Sequence, residues 1–145
     1  TLQTAVSFHR FDVREANQTC LLDLVAEGAA SLTHPETFDL GGRELSGDSR
    51  HESLVDKLCA LLGRAELRDL VDVQVLLQTG GDFARALTDA PRKDGGFSAV
   101  TLAWLLAKLP IPALARSEGL DETRAEELSA FRHELVSRLT KSSLP

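Results

Sequence analysis

Two segments near the start of the chain show the spacing of apolar side chains that is typical of β-strands. A period of two runs through Val6–Val13, and Cys20–Val25 form a compact apolar run. The polar residues R-E-A-N-Q-T between them predict a turn of five or six residues, so the two segments form an antiparallel hairpin. Two strands alone are only marginally stable. We therefore expect the hairpin to be part of a small antiparallel sheet that packs on helices.

Leucine-rich segments with helical spacing replace the strand pattern from Ser49 onward. Residues 26–48, between the two regions, show no sustained period and predict a loop with at most one short strand. Ser49 and Glu52 fit the capping box S-x-x-E, in which each side chain satisfies a backbone N–H at the start of a helix. Gly63 is a kink or a C-cap, and L-P-I-P ends the fourth helix. About five helices are predicted, with starts near Ser49, Ala65, Asp82, Ser98 and Asp121.

The order of the elements, strands first and helices afterwards, indicates the α+β class. We expect a single domain over residues 1–145, with the hairpin and loop in 1–48 and a helical bundle in 49–145. A domain of this length can bury a core without a disulfide or a structural metal.

Composition and charge narrow the classes of function. The formal net charge of −6 argues against an extended nucleic-acid surface. The longest uncharged apolar run, Phe97–Ala107, is too short to span a bilayer, so no membrane partner is expected. Cys20 and Cys59 stand alone in apolar stretches and no signal-peptide pattern is found, which together predict a reducing, cytoplasmic setting.

Asp23 is a carboxylate inside the apolar run C-L-L-D-L-V. Burying it without a partner would be costly, so it needs a counter-charge or a metal ion. One interpretation is that Asp23 pairs with Arg10 or Arg14 across the hairpin, or points to solvent from an edge strand. The other is that it binds a metal ion such as Mg²⁺, which takes one or two protein carboxylates together with substrate phosphate.

A second set of charges recurs at helical spacing between the leucines of K-L-C-A-L-L-G-R-A-E-L-R-D-L-V-D. Lys57 lies at the margin of the first apolar stripe, and Arg64, seven residues on, lies on the same face. Arg68, Asp69 and Asp72 form one edge of the next helix, because they are three and four residues apart. These charges are either a solvated face with a surface salt bridge or the wall of a site that the Lys57 ammonium reaches.

Three stretches of the sequence resemble the AbiEii-type nucleotidyltransferase family, whose members include toxins of bacterial toxin–antitoxin and abortive-infection systems. The stretches are FHRFDVREANQTCLLDLVAE, HESLVDKLCALLGRAELRDLVDVQVLLQTGGDFARAL and RKDGGFSAVTLAWLL. Their most specific part is a lysine followed by R-x-x-x-R-D-x-x-D. The resemblance implies a polymerase-β-like sheet that carries metal-binding acids, followed by a helical region that helps to hold a nucleoside triphosphate.

The resemblance also implies roles for individual residues. Asp23 matches the acid of the later strand and would bind Mg²⁺, Lys57 matches the motif lysine, and Asp69 or Asp72 matches the following acid. The implied reaction transfers a nucleotidyl group from a nucleoside triphosphate to an acceptor, with the lysine neutralising phosphate charge. The implied catalytic residues are Asp23, Lys57 and Asp72, and the implied nucleotide-binding residues are Lys57, Arg64, Arg68 and Asp69.

One motif of the family is missing from the sequence. The glycine or serine pair with a following arginine and D-x-D is not found before Phe8, and D-L-G-G-R-E-L-S-G-D comes too late and lacks the D-x-D. We therefore expect the chain to match the C-terminal half to two-thirds of such an enzyme and to be inactive alone. The alternative is a non-catalytic helical interaction module, in which the hairpin edge and the helix of Trp104 bind an antitoxin, another protein or a second copy. A lone tryptophan in an apolar helix is more often a core residue, and we expect Trp104 to be one.

Overall fold

The computed structural model describes residues 3–5, 8–26 and 31–142 of the chain. Contacts divide the chain into two compact units, Thr1–Ala30 and Ser31–Pro145. Five strands and six helices lie in the described ranges, with the strands before the helices. The predicted α+β class is confirmed, and the single domain over 1–145 stays a prediction.

The first unit contains an antiparallel sheet of three strands in the order β1-β2-β3. The two long strands pair along their whole length, from Phe8 opposite Val25 to Glu15 opposite Gln18. The predicted hairpin is therefore confirmed, although its proposed start at Val6 lies outside the described residues. The strands are β1 (Gln3–Ala5), β2 (Phe8–Glu15) and β3 (Gln18–Val25).

The hairpin turn is shorter than the sequence predicts. Only Ala16 and Asn17 lie between the paired residues Glu15 and Gln18, instead of five or six residues. Ala16 has a φ of 50°, the left-handed conformation that tight two-residue hairpin turns require. The polar residues indicated a turn, but they gave no sign that strand pairing continues through most of them.

The second unit opens with a small hairpin where the sequence predicted a loop. Strands β4 (Glu36–Asp39) and β5 (Glu44–Gly47) form a separate two-stranded antiparallel sheet. At the turn, the Asp39 carboxylate accepts a hydrogen bond from the Gly42 N–H at 2.7 Å. Strands of four residues are too short to show a period, which explains why the pattern was missed.

Six helices follow in the described part of the second unit, one more than predicted. The extra helix, α5, begins in L-P-I-P, directly after Pro110, with Pro112 in its first turn, where a missing N–H costs no intrahelical hydrogen bond. The helices are α1 (Arg50–Arg64), α2 (Leu67–Gln78), α3 (Phe83–Lys93), α4 (Ala99–Lys108), α5 (Ile111–Ser117) and α6 (Glu122–Ser142).

The core of the second unit consists mainly of leucines from these helices. The leucine spacing predicts an apolar stripe on α1 of Leu54, Leu58, Leu61 and Leu62. The first three are fully buried and Leu62 is half-buried, so the stripe is confirmed. The prediction of a core tryptophan is wrong, because Trp104 is 57% exposed. Its ring instead lies 3.6 Å from the Lys108 ammonium on the outer side of α4. Among the described helices, none is long and apolar enough to cross a bilayer alone; α4 and α5 reach that length and composition only as a pair bent by 69°.

Candidate functional site

The junction between α1 and α2 brings the predicted charges together. Lys57 and Arg64 are seven residues apart on one face of α1, and Ala65 then reverses the chain with the left-handed angles φ 50° and ψ 44°. This residue caps α1 by donating its N–H to the Leu61 carbonyl at 3.1 Å. Because α2 starts only two residues later, its first turn lies beside the last turns of α1. The group formed by Lys57, Arg64, Asp69 and Asp72 is called the Lys57 cluster below.

Asp69 is the centre of the Lys57 cluster, and its side chain is completely buried. Its Oδ2 accepts a hydrogen bond from Arg64 Nε at 2.8 Å, and its Oδ1 accepts one from Arg64 Nη2 at 2.9 Å. Lys57 Nζ donates a further hydrogen bond to Oδ1 at 3.1 Å. Burial disfavours the charged carboxylate, but the hydrogen bonds from Arg64 and Lys57 outweigh it and hold the pKa of Asp69 below its ordinary value. The carboxylate therefore stays ionised although it is buried.

Lys57 is partly exposed, so a ligand can reach its ammonium. Its side chain is 31% exposed, and its Nζ lies 2.6 Å from Oδ2 of Asp72, which is itself 44% exposed. The hydrogen bond to Asp72 is the largest cause of a raised pKa of Lys57, and the hydrogen bond to Asp69 adds to it. The amine thus stays protonated at neutral pH. A protonated lysine can neutralise an anion, but it cannot act as a nucleophile.

Arg68 lies apart from this group. Its guanidinium is mostly exposed, and its Nε lies 3.1 Å from Oε2 of Glu66. The helical spacing placed Arg68 on the same edge of α2 as Asp72. In the structure, however, Arg68 forms its ion pair with Glu66, the residue before α2. A nucleotide-binding role for Arg68 stays a prediction.

Asp23 belongs to the first unit, on β3, directly opposite Arg10 of β2. The guanidinium binds both carboxylate oxygens, with Nε to Oδ1 and Nη2 to Oδ2 each at 2.7 Å. The pairing across the hairpin is thereby confirmed. The hydrogen bond from Arg10 holds the pKa of the Asp23 carboxyl below its usual value. Whether Asp23 also binds a metal stays a prediction.

The resemblance implies a divalent metal ion such as Mg²⁺, which requires oxygen ligands that are free to bind it. Within residues 3–5, 8–26 and 31–142, no group of three or more His, Cys, Asp or Glu side chains is placed to hold a metal ion. Both oxygens of Asp23 are bound to Arg10, and both oxygens of Asp69 are bound to cations. The described side chains therefore do not fit a metal ion by themselves, and no chemical step below depends on one.

The sequence reasoning missed a second buried ion cluster, formed by Glu52, Asp56 and Lys93. The Lys93 side chain is 6% exposed, and its Nζ lies 2.5 Å from Oε1 of Glu52 and 3.1 Å from Oδ1 of Asp56. The capping box is half confirmed: Ser49 Oγ accepts the Glu52 N–H at 3.0 Å. The Glu52 carboxylate instead accepts the N–H groups of Leu32 at 2.9 Å and Thr33 at 3.0 Å. The only sequence signal for this cluster was the spacing of Glu52 and Asp56, which are four residues apart on one helix.

Glu52 makes the stability of the second unit dependent on pH. Burial raises its pKa, but hydrogen bonds from Lys93, Leu32 and Thr33 outweigh burial and keep the pKa below the ordinary value of 4.5. A carboxyl with a lowered folded pKa contributes stability above its unfolded pKa and loses it as the pH falls through the folded one. We therefore expect the free energy of unfolding to fall below about pH 4.5, and urea titrations followed by circular dichroism should show a shallower fall for Glu52→Gln. Equal slopes for the two proteins would contradict this assignment.

A groove of about 720 Å³ lies between α2 and α6. Gln74, Leu77 and Gln78 of α2 line it together with Arg124 and Arg138 of α6, among others. None of the residues that line the groove belongs to the Lys57 cluster.

The helical region of this α+β chain presents a protonated lysine that is held by two acids. Comparison with protein families gives the class: the family model described as nucleotidyl transferase AbiEii toxin, type IV TA system, matches residues 10–142. The chain belongs to this family, and the resemblance seen in the sequence is confirmed. No curated protein and no solved structure matches the chain.

Proposed function

We propose that the second unit binds a nucleoside triphosphate at the Lys57 cluster, as part of nucleotidyl transfer to an acceptor. The observation that carries this proposal is the Lys57 ammonium, which is partly exposed and held from behind by the buried Asp69. An anchored ammonium at a surface is suited to a phosphate group, because the lysine side chain need not be ordered again when the ligand arrives.

The ionisation of Lys57 defines what it does in the proposed reaction. Because its pKa is raised, it offers a positive charge to the phosphates and does not form a covalent bond to the nucleotide. A phosphate would replace Asp72 at Nζ, since Asp72 is the exposed partner and Asp69 is the buried one. The Arg64 guanidinium is partly exposed and adds positive charge nearby.

Several finer parts of the proposal come from the family resemblance. Mg²⁺ would accompany the nucleotide through its phosphates. The resemblance gives Asp23 as a metal ligand, but Arg10 binds both Asp23 oxygens, so Asp23 is not part of the site proposed in the second unit. An antitoxin protein and a reducing, cytoplasmic setting belong to the same proposal. The 145 residues contain no D-x-D. We therefore expect the chain alone to bind nucleotide without turning it over.

Isothermal titration with each nucleoside triphosphate, with and without Mg²⁺, tests the proposal. Replacing Lys57 with alanine should weaken binding about tenfold or more, which corresponds to at least 1.4 kcal/mol. Lys141→Ala is the matched control, because Lys141 is an exposed lysine in the last turn of α6. Circular dichroism on the same samples establishes that each variant is folded. Absence of binding to any nucleotide, or equal affinities of wild type and Lys57→Ala, would overturn the proposal.

The interaction module remains the second candidate, and the surface of α4 supports it. Val100 and Trp104 are one helical turn apart and are 60% and 57% exposed, so they form an apolar stripe on the outside of the helix. Light scattering on the titration samples separates the two candidates. A dimer that Trp104→Glu converts to a monomer would favour the module, whereas a monomer that binds nucleotide would remove it.

A further inference from the structure

We propose that Asp69 and Arg64 are positioning residues that fix the direction of the Lys57 ammonium. Asp69 itself does not contact the nucleotide. This inference rests on the proposed function. It divides the Lys57 cluster into the buried Asp69 and three partly exposed side chains, of which Arg64 has its Nε and Nη2 bound to Asp69.

Neither carboxylate oxygen of Asp69 faces solvent. Its side chain has no exposed surface, and three N–H donors from two cations occupy its two oxygens. A nucleotide or a metal ion could reach Asp69 only by displacing Arg64 or Lys57 from a buried carboxylate, which is strongly unfavourable. Asp69 can therefore act on a ligand only through Lys57.

Arg64 holds the Asp69 carboxylate in a fixed plane. Its Nε and Nη2 bind the two oxygens at 2.8 and 2.9 Å, and this two-point geometry prevents rotation of the carboxylate. A lysine at this position would keep the charge but would offer one ammonium in place of the planar fork. The left-handed Ala65 sets this geometry, because it turns the chain so that Arg64 and Asp69 meet across five residues.

The effect is transmitted to Lys57, whose side chain is long and flexible. Oδ1 of Asp69 accepts both Arg64 Nη2 and Lys57 Nζ, so the orientation of the fork determines where Nζ lies. Ordering a free lysine side chain on binding would cost entropy. Because the contact with Asp69 already orders Lys57 in the folded protein, this cost does not reduce the affinity for the ligand. Without the support, the ammonium would remain charged but would sample several directions.

A double-mutant cycle on nucleotide binding tests this role. Asp69→Asn keeps the shape of the side chain, and we expect it to weaken binding about tenfold in the wild-type background. The loss should disappear in a Lys57→Ala background, because both substitutions act through the same ammonium. Arg64→Lys should weaken binding in the same direction but by less, and it serves as the second variant if Asp69→Asn does not fold. An equal loss in both backgrounds would overturn the proposal.

A second measurement does not depend on nucleotide. Acylation of Lys57 by a small amine-reactive reagent, followed by mass spectrometry, should be several-fold faster in Asp69→Asn and in Arg64→Lys than in wild type, while Lys141 reacts at the same rate in all three. Faster acylation without any nucleotide binding would retain the positioning role and reject the proposed function. Unchanged acylation in both folded variants would overturn the positioning role itself.

Discussion

Replacing Lys93 with methionine is expected to lower the free energy of unfolding of the second unit by about 3–5 kcal/mol, the usual cost of removing one partner from a buried ion pair. Lys93 and Glu52 have only 6% and 1% of their side chains exposed, and Asp56 completes the group at 3.1 Å. Methionine is unbranched and only one heavy atom shorter than lysine, but it leaves the Glu52 charge buried without its cation. The loss therefore comes mainly from electrostatics.

Urea unfolding followed by circular dichroism measures this effect. Lys141→Met is the matched control and should stay within about 0.5 kcal/mol of wild type, because Lys141 is exposed. The double variant Glu52→Gln with Lys93→Met should recover part of the loss, since it removes both charges. A Lys93→Met protein as stable as wild type would show that the buried ion pair contributes nothing.

The Lys57 cluster illustrates which part of a site the sequence can specify. The seven-residue spacing correctly placed Lys57 and Arg64 on one face of α1, because helix geometry alone determines that relation. The burial of Asp69 could not be predicted, since it depends on the direction in which the chain turns between α1 and α2. Gly63 was expected to kink or end the first helix, but α1 continues through Arg64 and reverses at Ala65, which carries no sequence signal for a left-handed angle.

The burial of Lys93 and the exposure of Trp104 could not be predicted from the sequence either. K-D-G-G has the composition of a turn, yet Lys93 is the last residue of α3 and points inward because two acids of α1 are there to meet it. Trp104 stands in an apolar helix, yet the opposite side of that helix, with Leu102 and Leu106, supplies the buried face. Periodicity identifies a helix and its stripes, but only the packing of neighbouring helices decides which stripe is covered.

Replacing Leu58 with alanine is expected to lower the free energy of unfolding by about 2–5 kcal/mol, the range for a leucine removed from a packed core. Leu58 is fully buried and adjacent to Lys57, so the core contacts of Leu58 also fix the rotation of α1 that presents Lys57 to solvent. Trp104→Ala is the contrast, with an expected loss below about 1 kcal/mol, because it removes only an exposed cation–π contact with Lys108. Thermal and urea unfolding of both variants measure the difference. A larger loss for Trp104→Ala than for Leu58→Ala would mean that α4 buries its tryptophan and that the described packing of the helices is wrong.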